Sequence, residues 1–277
     1  MFDFITRSVK YILKGIPVTQ VNISTNITGK ILNRKHILIT GGSKGIGFAI
    51  AKRCVQEGAQ VLICSRNIRD LKEAQESLGG EDNCKIIEFD LSNTNEIGKF
   101  LNLSYSLLDN RIDCLVNNAG ISFHEKNYKF VTIEGFDKQF AVNFKGSYFL
   151  AQQFLMEQER RNLLPLTNIV FVSSERGSFC TDIPYGLSKA VINSLVGGLN
   201  NRTAIYGTRV NAIAPGVTVS EMTGRNKEDL QYKGSPIGRV LLPEEIAEVA
   251  IFLLSDYSSC ISGEVINCDS GAHLKCY

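Results

Sequence analysis

Tyr185 and Lys189 stand four residues apart, just ahead of an apolar run from Ala190 to Leu199. On a helix that spacing puts both side chains on one face, stacked one turn apart. An ammonium beside a phenol favours the phenolate. A phenol drawn from its free value near ~10 toward neutrality can deliver and recover a proton. On an ordinary helix the same spacing is only a half-buried Tyr beside a solvated Lys. The elements around the pair decide between the two.

From His36 onward, apolar runs of strand length alternate with helical segments. The strand runs are 36–40, 60–64, 85–90, 113–117, 168–173, 209–213 and 264–267. The helical segments are 46–57, 67–78, 94–108, 135–160, 185–204 and 243–254. The strand runs are apolar almost without interruption, as in parallel strands covered on both faces. The pattern predicts a single α/β domain over residues 34–277: a Rossmann-like, doubly wound, seven-stranded parallel sheet with helices on both faces.

In such sheets ligands bind outside the carboxyl ends of the strands, at the topological switch point. After the first strand comes Thr40-Gly41-Gly42-Ser43-Lys44-Gly45-Ile46-Gly47. Glycines there let the backbone approach a pyrophosphate, and a helix N-terminus offers free N–H groups. The G-x-x-x-G-x-G spacing departs from G-x-G-x-x-G, and a tight turn with no ligand is the plain alternative. The second strand ends in Cys64-Ser65-Arg66-Asn67. Ser65 is neutral where an acid would bind the ribose hydroxyls of NAD, and Lys44 and Arg66 could neutralise a 2′-phosphate. NADP(H) is therefore expected over NAD(H). Asp90-Leu91 ends the third strand, where Asp90 meets an adenine edge or caps the next helix. Asn117-Asn118-Ala119-Gly120 ends the fourth and suits a ribose or a turn. Ser174 follows the fifth strand, and Pro215-Gly216-Val217-Thr218-Val219-Ser220 lies at the end of the sixth.

Composition sets the remaining bounds. Hydrophobic residues make up 44% and charged residues 21%, and the net charge is +2. That balance gives no argument for nucleic acid. Eight cysteines without a C-x-x-C pair fit buried free thiols in a reducing compartment better than disulfides or a metal site. A cytoplasmic location is expected, without stable membrane insertion. Residues 1–33 form an N-terminal extension: Phe2, Ile5, Val9, Ile12 and Leu13 at helical spacing, then a polar, β-branched linker. Its first part reads as a short surface helix on the protein or a subunit neighbour. Peripheral membrane association and organelle targeting are alternatives, and Asp3 and the lack of a cleavage site weigh against targeting. Residues 218–235, polar and glycine-interrupted, read as a mobile lid or a disordered excursion.

Taken together, the chain resembles the short-chain dehydrogenase/reductase family over about residues 34–271. The resemblance rests on Thr40–Gly47, Asn117–Gly120, Val142-Asn143, Ser174, Tyr185/Lys189 and Pro215-Gly216, with Pro236–Arg239, Pro243–Ala247 and Ser262–Val265 near the end. It implies a catalytic tetrad. Tyr185 would be the acid in reduction and the base in oxidation. Lys189 would lower its pKa and hold the nicotinamide ribose, Ser174 would bind the substrate oxygen, and Asn143 would anchor a water in a proton relay. Gly41, Ser43, Ile46, Gly47, Asp90, Leu91, Asn117 and Gly120 would line the cofactor, with Pro215, Gly216, Thr218 and Ser220 toward the carboxamide. It further implies an NADP(H)-dependent alcohol dehydrogenase or carbonyl reductase, acting on a small-molecule carbonyl or alcohol as a homo-oligomer, a tetramer or dimer, with no metal. The nearest branches are the 3-oxoacyl-carrier-protein reductases and the tropinone-reductase-like enzymes. Against the former, Tyr206 stands where bacterial members carry a basic docking residue. Phe123 and His124 are expected to border the substrate pocket. A dinucleotide-binding sensor or structural protein without turnover is the alternative of a different class.

Overall fold

The computed structural model describes residues 29–274. Its strands are β1 (His36–Thr40), β2 (Gln60–Ser65), β3 (Cys84–Glu88), β4 (Cys114–Asn117), β5 (Asn168–Val172), β6 (Arg209–Pro215) and β7 (Val265–Cys268). They form one sheet in the order β3-β2-β1-β4-β5-β6-β7, every pairing parallel. The order reverses between β1 and β4, which places the switch point beside the glycine-rich turn.

Alternation along each strand divides the side chains between two cores. Ile37 and Ile39 of β1, Val61 and Ile63 of β2 and Val170 and Val172 of β5 enter one layer. It is closed by helices α1 (Gly45–Gln56), α2 (Ile68–Ser77) and α7 (Pro243–Leu254). Leu38, Leu62, Ile169 and Phe171 enter the other, against α3 (Ile97–Leu107), α5 (Ser147–Arg160) and α6 (Pro184–Thr203). Burying each such side chain contributes about 1.5–3 kcal/mol relative to exposure, so strands apolar on both faces are stable only with helices on both sides.

Several expected boundaries shift. The segment 135–160 is interrupted: α4 (Ile133–Phe140), capped by the Thr132 hydroxyl, leads into a π-helical turn at Ala141–Gly146 and then α5. β3 stops at Glu88, and Asp90 lies beyond its end. Ile31 and Leu32, expected in the linker, belong to the body. Leu32 is fully buried, and the Leu32 and Ile31 amides donate to the Glu57 carbonyl (3.1 Å) and carboxylate (3.2 Å). The amphipathic stretch over residues 2–13 lies outside the described residues. The stretch expected as a lid carries short pairings, Thr218 with Leu241, Ser220 with Arg225 and Gln231 with Arg239.

Candidate active site

The glycine turn and the turn after β4 are stitched together by one threonine. The buried Thr40 hydroxyl accepts from the Asn118 and Ala119 amides, both at 3.0 Å. The Asn118 side chain donates back to the carbonyls of Thr40 (2.9 Å) and Gly41 (3.0 Å). Within this knot Gly41 and Gly45 hold positive φ angles of 64° and 56°. A Cβ at Gly47 would lie 2.2 Å from the Gly41 carbonyl oxygen, so a side chain there would block the turn. No side chain caps the start of α1, and its first amides remain available to an anion.

A cavity of about 520 Å³ runs from this turn along the ends of the strands, within the range of small-molecule sites. Gly41, Ser43, Lys44, Ile46 and Gly47 line its middle. Ser65, Arg66, Asp90 and Leu91 line one end, and Gly120, Ser174, Tyr185, Lys189, Pro215, Gly216, Thr218 and Ser220 the other. A bare glycine cradle, a helix N-terminus open to anions and an elongated cleft at the switch point together fit a dinucleotide.

Two predicted residues are not on the cavity wall. The Asn117 amide turns into the core and donates to the Ser147 carbonyl at 2.8 Å, and Asn118, Ala119 and Gly120 form the wall instead. Asn143, in the π turn, is fully engaged as a brace. Its carbonyl oxygen accepts from the Ile121 amide (2.8 Å), and its NH2 donates to the Ile121 carbonyl (2.9 Å) and the Ser188 hydroxyl (3.1 Å). Ser188 in turn donates to the Tyr185 carbonyl at 2.6 Å. Sequence reasoning missed Ser188, because its partner in the π turn is 45 residues away. Phe123 and His124 line a neighbouring cavity with Glu125, Phe130 and Lys138, and the His124 ring meets the Met222 carbonyl at 2.5 Å. Asp90 serves its own turn as well, accepting from the Ser92 amide (2.9 Å) and hydroxyl (2.7 Å).

At the catalytic end, Pro184 opens α6 without sacrificing a hydrogen bond, and Tyr185 and Lys189 follow on its inner face. Lys189 is buried, and its ammonium donates to the Val172 carbonyl at 2.8 Å, 5.8 Å from the Tyr185 ring centroid. Burial lowers its pKa to about 8. The phenol of Tyr185 moves the other way. Burial pushes its pKa up, a hydrogen bond with Ser174 pulls it down, Glu175 raises it and Arg176 lowers it. The ammonium is aimed at a backbone carbonyl, and desolvation outweighs the hydrogen bond. The Ser174–Tyr185–Lys189 cluster is thus a protonated phenol with a hydroxyl beside it and a cation behind it. At the glycine turn, Lys44 forms ion pairs with Asp70 (3.1 Å) and Glu221 (3.1 Å), and both carboxylates share the cavity wall. Among the described residues no cluster of three or more His, Cys, Asp or Glu could hold a metal ion.

Comparison with known proteins accords with this geometry. A family model described as enoyl-(acyl carrier protein) reductase matches residues 41–273. The 3-oxoacyl-(acyl-carrier-protein) reductase of Aquifex aeolicus is 31% identical over 245 residues, covering 87% of this chain and 98% of that protein. The crystal structure of 3-ketoacyl-(acyl-carrier-protein) reductase from Brucella melitensis, complexed with NADH, superposes with a TM-score of 0.79 at 27% identity, covering 87% of this chain and 99% of that one. A short-chain type dehydrogenase/reductase from Mycobacterium marinum gives the same TM-score of 0.79 and 27% identity, with coverages of 87% and 96%. The chain is a member of the short-chain dehydrogenase/reductase family, and it belongs there as an oxidoreductase.

Proposed function

We propose that the protein is an NADP(H)-dependent oxidoreductase that interconverts a carbonyl and a secondary alcohol, with Tyr185 as the proton donor and acceptor. The observation that carries this reading is the cluster of Ser174, Tyr185 and Lys189 on the same cavity wall as the glycine cradle. When bound, the nicotinamide supplies or accepts the hydride at its C4. Ser174 orients the substrate oxygen, and fixing that oxygen beside the donor turns an encounter into a positioned transfer. Tyr185 gives its proton to the oxygen in reduction and recovers one in oxidation. Lys189 holds the nicotinamide ribose and supports charge that develops on the phenol oxygen. Asn143 and Ser188 hold the backbone that carries these groups.

Ser65 and Arg66 support the preference for NADP(H). Arg66 is exposed on the cavity wall, and a charge-assisted contact to a 2′-phosphate is worth roughly 1.5–3 kcal/mol. The buried free thiols Cys54, Cys64, Cys84 and Cys114 support a reducing, cytoplasmic setting. The exposed apolar side chains of Met156, Leu187 and Val191 support self-association. A panel of ketones and alcohols with NADPH and NADH, followed at the nicotinamide absorbance, tests the reading. Activity with neither cofactor on any carbonyl would overturn it.

The second reading is reduction of a 3-oxoacyl group on a carrier protein, favoured by the named activity of the relatives. Tyr206, 53% exposed after the end of α6, is the departure that counts against it. Comparing a 3-oxoacyl carrier protein with the same acyl group on a small thiol separates the two, because only a docked carrier would lower KM by an order of magnitude or more.

A further inference from the structure

Lys44 occupies an unusual position for a residue expected to meet a phosphate. Its side chain is half-exposed, yet its ammonium is held between two carboxylates, Asp70 at 3.1 Å and Glu221 at 3.1 Å. These come from three separate segments: the glycine turn, the first turn of α2, and the stretch after β6 that contains Ser220 and Met222. All three side chains line the same cavity as Ser65 and Arg66. Arg66 makes no ion pair among the described residues, so an anion arriving there finds one cation open and the other occupied. The stretch after β6 is also tied from the opposite side, where the His124 ring meets the Met222 carbonyl. Hydrogen bonding to Asp70 and then to Glu221 raises the Lys44 pKa, in keeping with a cation that both carboxylates stabilise.

We propose that Lys44 is shared between two carboxylates, Asp70 and Glu221, and the 2′-phosphate of the cofactor, so that Asp70 and Glu221 set the selectivity between phosphorylated and unphosphorylated dinucleotides. The proposal rests on the dinucleotide reading of the cavity. A 2′-phosphate competes with the two carboxylates for one ammonium. Phosphate binding therefore weakens the hold of Lys44 on Glu221, and by linkage a firm Lys44–Glu221 pair weakens phosphate binding by the same factor. Asp70 and Glu221 act through Lys44 and are positioning residues.

The test is calorimetry on the full chain with adenosine 2′,5′-bisphosphate and, as control, adenosine 5′-diphosphate. Asp70→Asn and Glu221→Gln should each raise affinity for the bisphosphate roughly two- to fivefold, the scale of an exposed ion pair. The diphosphate should change by less than about twofold on the same scale. Lys44→Met should lower bisphosphate affinity, and in that background neither carboxylate substitution should have an effect. A gain that persists without Lys44 would mean direct repulsion between the carboxylates and the phosphate, and would overturn the proposal. So would no gain from either carboxylate substitution in the protein that keeps Lys44, or an equal gain for both nucleotides. Failure of the unaltered protein to bind either probe would overturn the dinucleotide reading, and this proposal with it.

Discussion

At the residue scale, the chemistry turns on how two titrating groups are desolvated. Burial raises the Tyr185 pKa, so the phenol is neutral at pH 7 and ready to act as an acid. Alcohol oxidation needs the phenolate instead, and its kcat/KM should keep rising with pH through the alkaline range. An oxidation profile that levels off near pH ~7 would show that another charge overrides burial. Lys189 offers a second check. Its pKa is about 8 in the folded chain, below the ~10.4 of an unfolded lysine. The folded state resists protonation of this group, so its contribution to stability is full above the unfolded value and is lost as pH falls toward 8. Relative to Lys189→Met, the unaltered protein should lose up to about 3 kcal/mol between pH ~10.4 and ~8. Urea unfolding of both proteins across that interval measures it, and a constant difference would contradict a buried ammonium.

At the element scale, the site depends on turns that are fixed from a distance. Ser188 links the π turn to α6, accepting from Asn143 and donating to the Tyr185 carbonyl. Ser188→Ala leaves one buried Asn143 N–H unpaired, removes the side-chain bond to the Tyr185 carbonyl, and should cost about 1–3 kcal/mol of stability. Turnover should fall on the order of tenfold, as for a small misplacement of reacting groups, while nucleotide affinity holds. Unchanged turnover would mean that the π turn does not position the site. The strands were legible in the sequence because most are apolar on both faces, and so were the strand ends, because glycine, serine and amide residues interrupt the runs there. The π turn was not. Gly146 packs against Leu91, where a Cβ would lie 2.3 Å from the Leu91 carbonyl oxygen, and no local periodicity announces such a contact. The place of Asn117 off the cavity wall is hidden for a similar reason. Two adjacent asparagines end the strand, and only the pleat shows that Asn117 faces Ser147 while Asn118 faces the glycine turn.

At the scale of the whole molecule, the sheet and its two cores account for the positions of the candidate groups, and Ile31 and Leu32 are tied into the packed body. Removing residues 1–28 should leave a soluble protein that melts within a few degrees of the full chain and still binds nucleotide. Insolubility, or loss of nucleotide binding, would show that the extension is part of the body. The long-range ties that the sequence could not reveal, such as Lys44 to Glu221 across 177 positions, are contacts that only the completed fold creates. The most direct test of the account compares the full chain with Tyr185→Phe, measuring NADPH affinity by fluorescence and turnover on a reactive diketone. The variant should bind NADPH within about twofold of the unaltered protein, since the ring still packs, and lose at least about 100-fold in turnover, the scale of general acid catalysis. A variant that keeps most of its turnover would contradict the account, because the proton would then come from a group other than Tyr185.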